Sequence, residues 1–338
     1  MHDFFEKSRE ILERIRNFEE KVVKFANLIK NRVNLVERVS KTDLGSLTIC
    51  GVDGGLIKKS FHGIDLVLTR AVGVIFKFEE GRLKDVIYYP SRNPTPNLQI
   101  FFDPISEFDF ELEASLVRSV EELKVAIDCV KKFKIDMLML DGSLIPPIVF
   151  QEKANLELTK LKEFLLELFK VCKEKNCCLV GIVKDSRGRR FCEVVSKIFE
   201  EPEQKVMLER MRDTHLLSYL LDANEKTVAL NYSSDPSSIP ILSELEDPNS
   251  LKVFYLKSSE FERPLRIEFL SNSMDSKKIA SIILSLIIDP NYCIPSILIE
   301  ADQIARLRKE EIDLLHAELF SSLMSFGLLR RRRERRLF

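Results

Sequence analysis

The spacing of hydrophobic positions along this chain changes from helical to strand-like and back. Residues 3–40 place apolar side chains every three or four positions among many charges, which predicts one or two long amphipathic helices. The spacing then becomes strand-like. Runs at Leu47–Val52, Asp65–Phe78 and Arg82–Tyr89, with Gly81 turning between the last two, predict an antiparallel meander.

The rest of the chain alternates helical and strand-like patterns. Helical spacing covers Glu107–Lys132, and an apolar strand at Ile135–Leu140 then runs into Asp141. The same patterns predict a helix over Asn155–Asn176, a strand over Cys178–Val183, a helix near Gln204–Leu221, strands near Thr227–Tyr232, Val253–Leu256 and Leu265–Phe269, and helices over Asp275–Ile288 and Ala301–Phe326. We therefore predict an α/β fold: a mixed sheet whose first three strands are antiparallel, with flanking helices and helical additions at both ends.

Composition sets the class of protein. With 338 residues, of which 45% are hydrophobic and 31% charged, the chain is long and apolar enough to bury a large core. Basic and acidic residues balance at 52 and 53, so any basic surface must be local, as in the arginine run 330–336. The seven cysteines lack zinc or redox spacing, which indicates reduced thiols in a cytoplasmic protein. The longest apolar stretch, Ile279–Ile288, is about half a membrane span, so we expect no membrane segment.

Two acids follow predicted strands. Asp53 stands before Gly54 and Gly55, and two interpretations are open: a tight turn that closes a hairpin, or a ligand site at a strand end. If the strands before Asp53 and Asp141 are parallel neighbours, both carboxylates emerge at the edge of the sheet where ligands bind. Carboxylates that repel one another are stabilised by a cation, and oxygen ligands select hard metals. The pattern favours two Mg²⁺ or Mn²⁺ ions about 3.5–4 Å apart, the arrangement that cleaves phosphodiesters.

The helix between these strands is expected to supply a third acid. A strand of about six residues spans roughly 20 Å, which a helix covers in about thirteen residues. Counting back from Lys132 places the level of Asp141 near Ser119–Glu122 and favours Glu122 or Glu121. Glu113 is a competitor about two turns away. For each of these residues the alternative is a solvated helix face.

An ordered set of motifs resembles a known family. The segments GVDGG, LMLDGSL, VGIVKDS, RDTHLLSYLL, FYLKSSEFERPLRIEF and YCIPSILIEADQIARL together resemble the NurA nucleases of archaea and some bacteria, over roughly residues 45–315. The resemblance implies an RNase H-like core and a Mn²⁺- or Mg²⁺-dependent deoxyribonuclease, with 5′–3′ exonuclease and single-strand endonuclease activity. It also implies a homodimer that works on single- and double-stranded DNA ends with a HerA-type hexameric ATPase, in end resection for homologous recombination.

This resemblance suggests regions and residues. We predict a helical dimer or partner region at residues 1–44, a nuclease domain at 45–326 and a basic tail at 327–338. The resemblance makes Asp53, one helical Glu and Asp141 the metal ligands. Asp302 stands where the family places a His, so it either binds metal without donating a proton as imidazolium does, or only caps the final helix. Lys184 is expected to neutralise a phosphate or the attacking hydroxide, and its alternative is an exposed lysine at a strand end.

Other polar residues surround these acids in the sequence. Three arginines on one loop are expected to contact the DNA backbone: Arg187, Arg189 and Arg190. Asp213 matches a family acid, yet beside His215 it is also read as a cap or a surface pair. Arg266 and Glu268 alternate on one strand face, which favours a structural ion pair.

Two further function classes compete with the nuclease. An actin- or sugar-kinase-fold phosphotransferase also begins with a strand and an Asp-Gly turn, but it requires a second such unit and a Gly-rich loop, and the chain has 11 glycines. A non-catalytic DNA-end adaptor of the translocase is the other alternative. Asp302 keeps that alternative open, whereas Asp53 and Asp141 argue against it.

Overall fold

The chain folds as two compact units. A computed structural model describes residues 2–61, 63–102, 106–146, 156–271 and 273–322, so the predicted basic tail lies outside the described residues. The first unit comprises Met1–Asp43 and Val180–Pro295, and the second comprises Leu44–Leu179 and Ser296–Phe338. The predicted division into three regions stays a prediction.

The described chain contains both helices and strands. In order they are α1 (His2–Arg32), β1 (Val36–Arg38), β2 (Thr48–Ser60), β3 (Asp65–Glu79), β4 (Arg82–Tyr89), β5 (Asn97–Phe101), α2 (Glu107–Lys132), β6 (Met137–Asp141), α3 (Leu156–Glu174), β7 (Cys178–Val183), α4 (Arg190–Ser196), α5 (Pro202–Arg210), α6 (Asp213–Leu220), β8 (Glu225–Thr227), β9 (Leu230–Asn231), α7 (Pro240–Ser243), β10 (Leu251–Lys257), β11 (Leu265–Leu270), α8 (Ser276–Leu286), α9 (Ser296–Ala305) and α10 (Lys309–Ser322). The mixed α/β class is confirmed.

In the second unit, β2, β3 and β4 form the predicted antiparallel meander, and β5 pairs with β3. β6 pairs in parallel with β2, from Ile49 opposite Met137 to Val52 opposite Leu140. β2 does not end at Asp53: it stays paired with β3 as far as Ser60. The expected turn at Gly54 and Gly55, and the expected strand end at Asp53, are therefore wrong. Only the pairing with β6 stops there.

Two helices of the second unit pack on its sheet. α2 covers β2 and β3 and also packs on α3, while α9 covers β2 and β3. The predicted bounds of α2 are confirmed, and the Ser106 side chain caps this helix by accepting the Asp109 N–H at 3.1 Å. Glycines permit the close approach: a Cβ on Gly73 would meet Cys129 of α2, and one on Gly51 would meet Ile297 of α9.

The first unit combines the start of the chain with its later half. The strand order is β1-β8-β10-β11-β7, and β9 pairs with β10. The second half of α1 packs on α6 through a buried apolar core that includes Val22, Phe25 and Ile29. Burial of this stripe holds the long helix on the unit.

Two predicted helices are interrupted. The helix predicted over Gln204–Leu221 is two helices, α5 and α6. At the end of α5 the Arg189 guanidinium donates hydrogen bonds to the carbonyls of Leu208 and Met211, which breaks the helix there. The helix predicted over Ala301–Phe326 is also two helices, α9 and α10, and α10 ends at Ser322. The last four residues of the predicted helix lie outside the described residues. Arg70 donates to the Arg306 carbonyl between these two helices.

All seven cysteines are buried, and none forms a disulfide. Within the described residues, every helix is too short or too polar to span a bilayer.

Candidate active site

Asp53 and Asp141 lie side by side in the second unit. The parallel register puts Val52 opposite Leu140, so the next residue on each strand is one of these two acids. Asp53 is 8% exposed and accepts the Gly54 N–H at 2.7 Å. Burial, and then the charge of Asp141, raise the pKa of Asp53 to about 6. The two predicted acids therefore do converge at one edge.

Glu122 reaches the same edge from α2. A Cβ on Gly54 would lie 2.5 Å from Glu122 Oε1, so a residue without a side chain is needed below this carboxylate. Glu122 Oε1 is buried and accepts no hydrogen bond from the described residues, although Arg118 Nη1 lies 3.2 Å away. Burial raises the pKa of Glu122 to about 8; Arg118 opposes this shift, and the charges of Asp53 and Asp141 add to it.

The other two helical candidates are placed less favourably. Glu121 forms an ion pair with Lys124 at 2.8 Å on the helix surface. Glu113 lies roughly 13 Å further back along the helix axis, at 1.5 Å per residue. Among the three acids left open by the sequence, Glu122 is the one placed over Gly54.

Asp302 lies within α9, on the helix that covers β2. α9 begins at Ser296, so Asp302 cannot cap a helix start, and the capping interpretation is wrong. Its side chain is exposed, and its charge helps to raise the pKa of Asp53. A Cβ on Gly55 would meet the carbonyl oxygen of Ala305 at 2.1 Å, which shows how closely the end of α9 approaches β2.

The donor chemistry of this edge suits a hard divalent cation. All four acids offer only carboxylate oxygens, and one of these oxygens is buried with no hydrogen-bond donor. Burial and mutual repulsion disfavour the charged forms of Asp53 and Glu122, and a cation would remove that penalty. Over the described part of the chain, however, no three His, Cys, Asp or Glu side chains stand close enough to share one ion. Metal binding here requires the carboxylates to draw together.

Arg118 is a site residue that the sequence analysis missed. Its guanidinium lies beside Glu122 and donates to the Gly54 carbonyl at 3.3 Å. The sequence did carry a sign of this role, because Arg118 lies four residues before Glu122 and therefore on the same face of α2.

The predicted basic residues belong to the first unit. Lys184 follows β7 and lines a cavity together with Arg187. Arg189 instead donates to the carbonyls of Leu208 and Met211, at 3.0 and 3.2 Å. Arg190 donates to the Asn231 carbonyl at 2.9 Å, and DNA contact by these three arginines stays a prediction.

Asp213 has a structural position in the first unit. It is fully buried and accepts the N–H groups of Phe191 and Cys192, at 3.0 and 2.8 Å, so it caps the start of α4. The Tyr255 hydroxyl also donates to it.

The predicted ion pair of Arg266 with Glu268 is present at 2.8 Å in the same unit.

Fold and site together define a class: α/β proteins with a carboxylate cluster at the edge where two parallel strands part. The sequence model of the NurA domain matches residues 47–307. The chain therefore belongs to the NurA family.

Solved structures agree with this fold. The crystal structure of the NurA nuclease from Sulfolobus solfataricus has a TM-score of 0.62 and 18% identity, covering 96% of this chain and 99% of that one. A crystal structure of NurA with manganese has a TM-score of 0.60 and 11% identity, over 94% and 98% of the two chains. A structure of NurA bound to dAMP and manganese has a TM-score of 0.57 and 10% identity, over 94% and 96%. A comparison with curated proteins gave no match.

Proposed function

We propose that this protein is a metal-dependent deoxyribonuclease that hydrolyses phosphodiester bonds. The observation that carries the proposal is the carboxylate cluster of Asp53, Asp141 and Glu122, in which a buried Glu122 oxygen accepts no hydrogen bond from the described residues. Membership of the NurA family supports the reaction class. NurA structures that contain manganese support Mn²⁺ as the metal, with Mg²⁺ as the hard-cation alternative.

Each acid has a proposed role. Asp53 and Asp141 are the central metal ligands because they stand at neighbouring positions of parallel strands. Glu122 and Asp302 complete the set from α2 and α9. When bound, the metal would lower the pKa of a water molecule and stabilise the leaving oxygen of the cleaved strand. The low exposure of Asp53 keeps competing water away from its carboxylate.

DNA contacts are proposed for the basic loop after β7. Lys184 and Arg187 line one cavity and are suited to bind phosphate, whereas the Arg189 and Arg190 side chains bind backbone carbonyls. We therefore assign direct phosphate contact to Lys184 and Arg187, and assign Arg189 and Arg190 to holding the loop.

The partner assignments rest on family membership. We propose a homodimer that acts with a HerA-type hexameric ATPase in DNA end resection for homologous recombination, on single- and double-stranded ends, in the cytoplasm. An exposed apolar stripe on the first half of α1, formed by Ile11, Leu12 and Ile15, supports a protein contact there. Membership of the NurA family argues against the phosphotransferase alternative.

Cleavage of end-labelled linear DNA tests the proposal. The wild-type protein with Mn²⁺ is expected to release labelled products, and Asp53→Asn or Asp141→Asn is expected to lower the rate by at least about a hundredfold. Asp136→Asn is the matched control: it lies before the other end of β6 and accepts the Thr48 N–H at 2.7 Å. Full activity in either site variant would refute the mechanism. No wild-type cleavage with intact DNA binding would instead favour the non-catalytic adaptor.

A further inference from the structure

A large polar cavity opens in the first unit. It encloses about 770 Å³ between α1, the loop after β7 and the junction of α5 with α6. Five basic side chains line it: Lys184, Arg187, Arg210, Arg212 and Arg263. Among the described residues that line it, Glu19 and Asp185 are the acids that oppose them, so the cavity carries an excess of positive charge.

Three of these arginines have no ionic partner. Arg187, Arg210 and Arg212 are exposed, and none of their side chains forms a hydrogen bond or ion pair with the described residues. Arg263 has only a long contact of 3.9 Å with Asp185, between side chains that are 75% and 89% exposed, and such a pair contributes little. The arginines are therefore available to an anion.

The backbone that carries them is held in place. Arg189 donates to the carbonyls of Leu208 and Met211, on either side of Arg210 and directly before Arg212. On the opposite wall, the Gly188 carbonyl accepts the Asp213 N–H at 3.0 Å and the Gly188 N–H donates to Ser186 Oγ at 3.1 Å. Both arginine-bearing segments are thus fixed before any ligand binds, which reduces the entropic cost of binding.

An aromatic group stands at the rim. The Tyr219 ring is 43% exposed and lies 6.0 Å from the His215 ring, which in turn lies 5.9 Å from Phe18. Glu19 accepts hydrogen bonds from both Tyr219 and His215, so it orients the two rings and offsets part of the positive charge. An exposed, fixed ring beside a basic groove is the arrangement that stacks unpaired bases.

We propose that this cavity binds a single nucleic-acid strand, with Arg187, Arg210 and Arg212 contacting successive phosphates and Tyr219 stacking on a base. Separate arginines on two walls fit several linked phosphates, and the ring adds a group that inorganic phosphate or an acidic peptide does not need. The inference rests on the proposed function only in its choice of ligand, because the proposed reaction consumes nucleic acid.

Fluorescence anisotropy with a labelled oligo(dT) strand of about 20 nucleotides, in EDTA, tests the cavity without cleavage. Arg187→Gln, Arg210→Gln and Arg212→Gln are each expected to weaken binding roughly three- to tenfold at low salt. Each is also expected to lower the slope of log affinity against log salt by about 0.7. Arg82→Gln, an exposed arginine in β4 outside the cavity, is the matched control and should change neither quantity.

The Tyr219 variants separate stacking from charge. Tyr219→Ala should weaken binding by roughly five- to a hundredfold with an unchanged salt slope, while Tyr219→Phe keeps the ring and should stay near the wild type. The proposal would be overturned if all three arginine variants kept the wild-type slope of log affinity against log salt. It would also be overturned if the arginine variants bound labelled polyglutamate more weakly than the wild type but bound oligo(dT) equally well. That result would assign the cavity to an acidic protein partner. If the wild type fails to cleave DNA yet the binding results hold, the nuclease assignment fails and the cavity assignment stands.

Discussion

At the scale of single residues, the acids are held in a state that resists ionisation. Asp53 and Glu122 have raised pKa values because burial and neighbouring charge both favour their protonated forms. The Arg118 guanidinium, whose Nη1 lies 3.2 Å from Glu122 Oε1, stabilises the charged form of Glu122 and offsets part of this rise in pKa. The cluster therefore lowers the stability of the metal-free fold, as sites that bind cations commonly do.

Replacing Glu122 with Gln is expected to stabilise the metal-free protein. The pKa of Glu122 rises from 4.5 to about 8 on folding, so the folded state binds this proton more tightly than the unfolded state does. The free energy of unfolding consequently falls as pH rises through this interval, by on the order of 5 kcal/mol. Thermal melts at about pH 8 should show a higher Tm for Glu122→Gln than for the wild type in EDTA. When Mn²⁺ is present instead of EDTA, the rise in Tm should be smaller for Glu122→Gln.

Glu121→Gln provides the control for that melt, because Glu121 is paired with Lys124 on the helix surface. Its Tm should stay near the wild type, and its Mn²⁺ response should be retained. An equal Tm for Glu122→Gln and wild type across the pH range would contradict the assigned environment of Glu122.

Metal binding should depend on pH. Because the pKa values of Asp53 and Glu122 are about 6 and about 8, both must lose protons when a cation binds. Apparent Mn²⁺ affinity is expected to rise as pH increases through this range, with protons released into the buffer. Calorimetric titrations in buffers of different ionisation enthalpy measure that release, and a pH-independent affinity would argue against these ligands.

The two glycines after Asp53 have separable roles. A Cβ on Gly54 would meet the Glu122 carboxylate at 2.5 Å, whereas one on Gly55 would meet the Ala305 backbone carbonyl at 2.1 Å. Gly54→Ala should therefore displace a side chain and lower kcat with little loss of Tm. Gly55→Ala should lower the free energy of unfolding by about 1–3 kcal/mol, because backbone cannot yield as a side chain does. Cleavage rates and melts of both variants, measured together, distinguish the two effects.

At the scale of elements, periodicity identified the long segments and missed those set by tertiary contacts. The bounds of α2 and β7 follow from sequence because apolar spacing alone decides them. The continuation of β2 beyond Asp53 did not follow, since Asp-Gly-Gly favours turns, and the pairing with β3 overrides that preference. The break between α5 and α6 depends on Arg189, which lies far from it in the sequence.

The first half of α1 is predicted to mediate self-association. Ile11, Leu12 and Ile15 are 56%, 63% and 52% exposed, while Val22 and Ile29 of the same helix are buried. Ile11→Asp combined with Ile15→Asp should convert a dimer to a monomer without unfolding the chain, since neither side chain contributes to the core. Light scattering after size exclusion gives the mass, and an unchanged dimer would place the interface elsewhere.

At the scale of the whole molecule, each of the two compact units is built from two separate stretches of the chain. Residues 1–43 fold with residues 180–295, and the acid-bearing unit is completed by a segment that begins at Ser296. The approach of Asp53 to Asp141 was predictable because each acid comes directly after an apolar run, and these two runs pair in parallel. The placement of Asp302 inside α9 and of Arg118 beside Glu122 required the folded structure, because each depends on which helix faces pack against the sheet.

Titration of Mn²⁺ into the metal-free protein at about pH 8, compared between wild type and Asp53→Asn/Asp141→Asn, shows whether these carboxylates bind the metal. We expect saturable binding by the wild type, and at least about a hundredfold weaker binding by the double variant with its fold intact by circular dichroism. Equal Mn²⁺ affinity in the two proteins would show that the metal binds elsewhere and would contradict the assignment of these carboxylates.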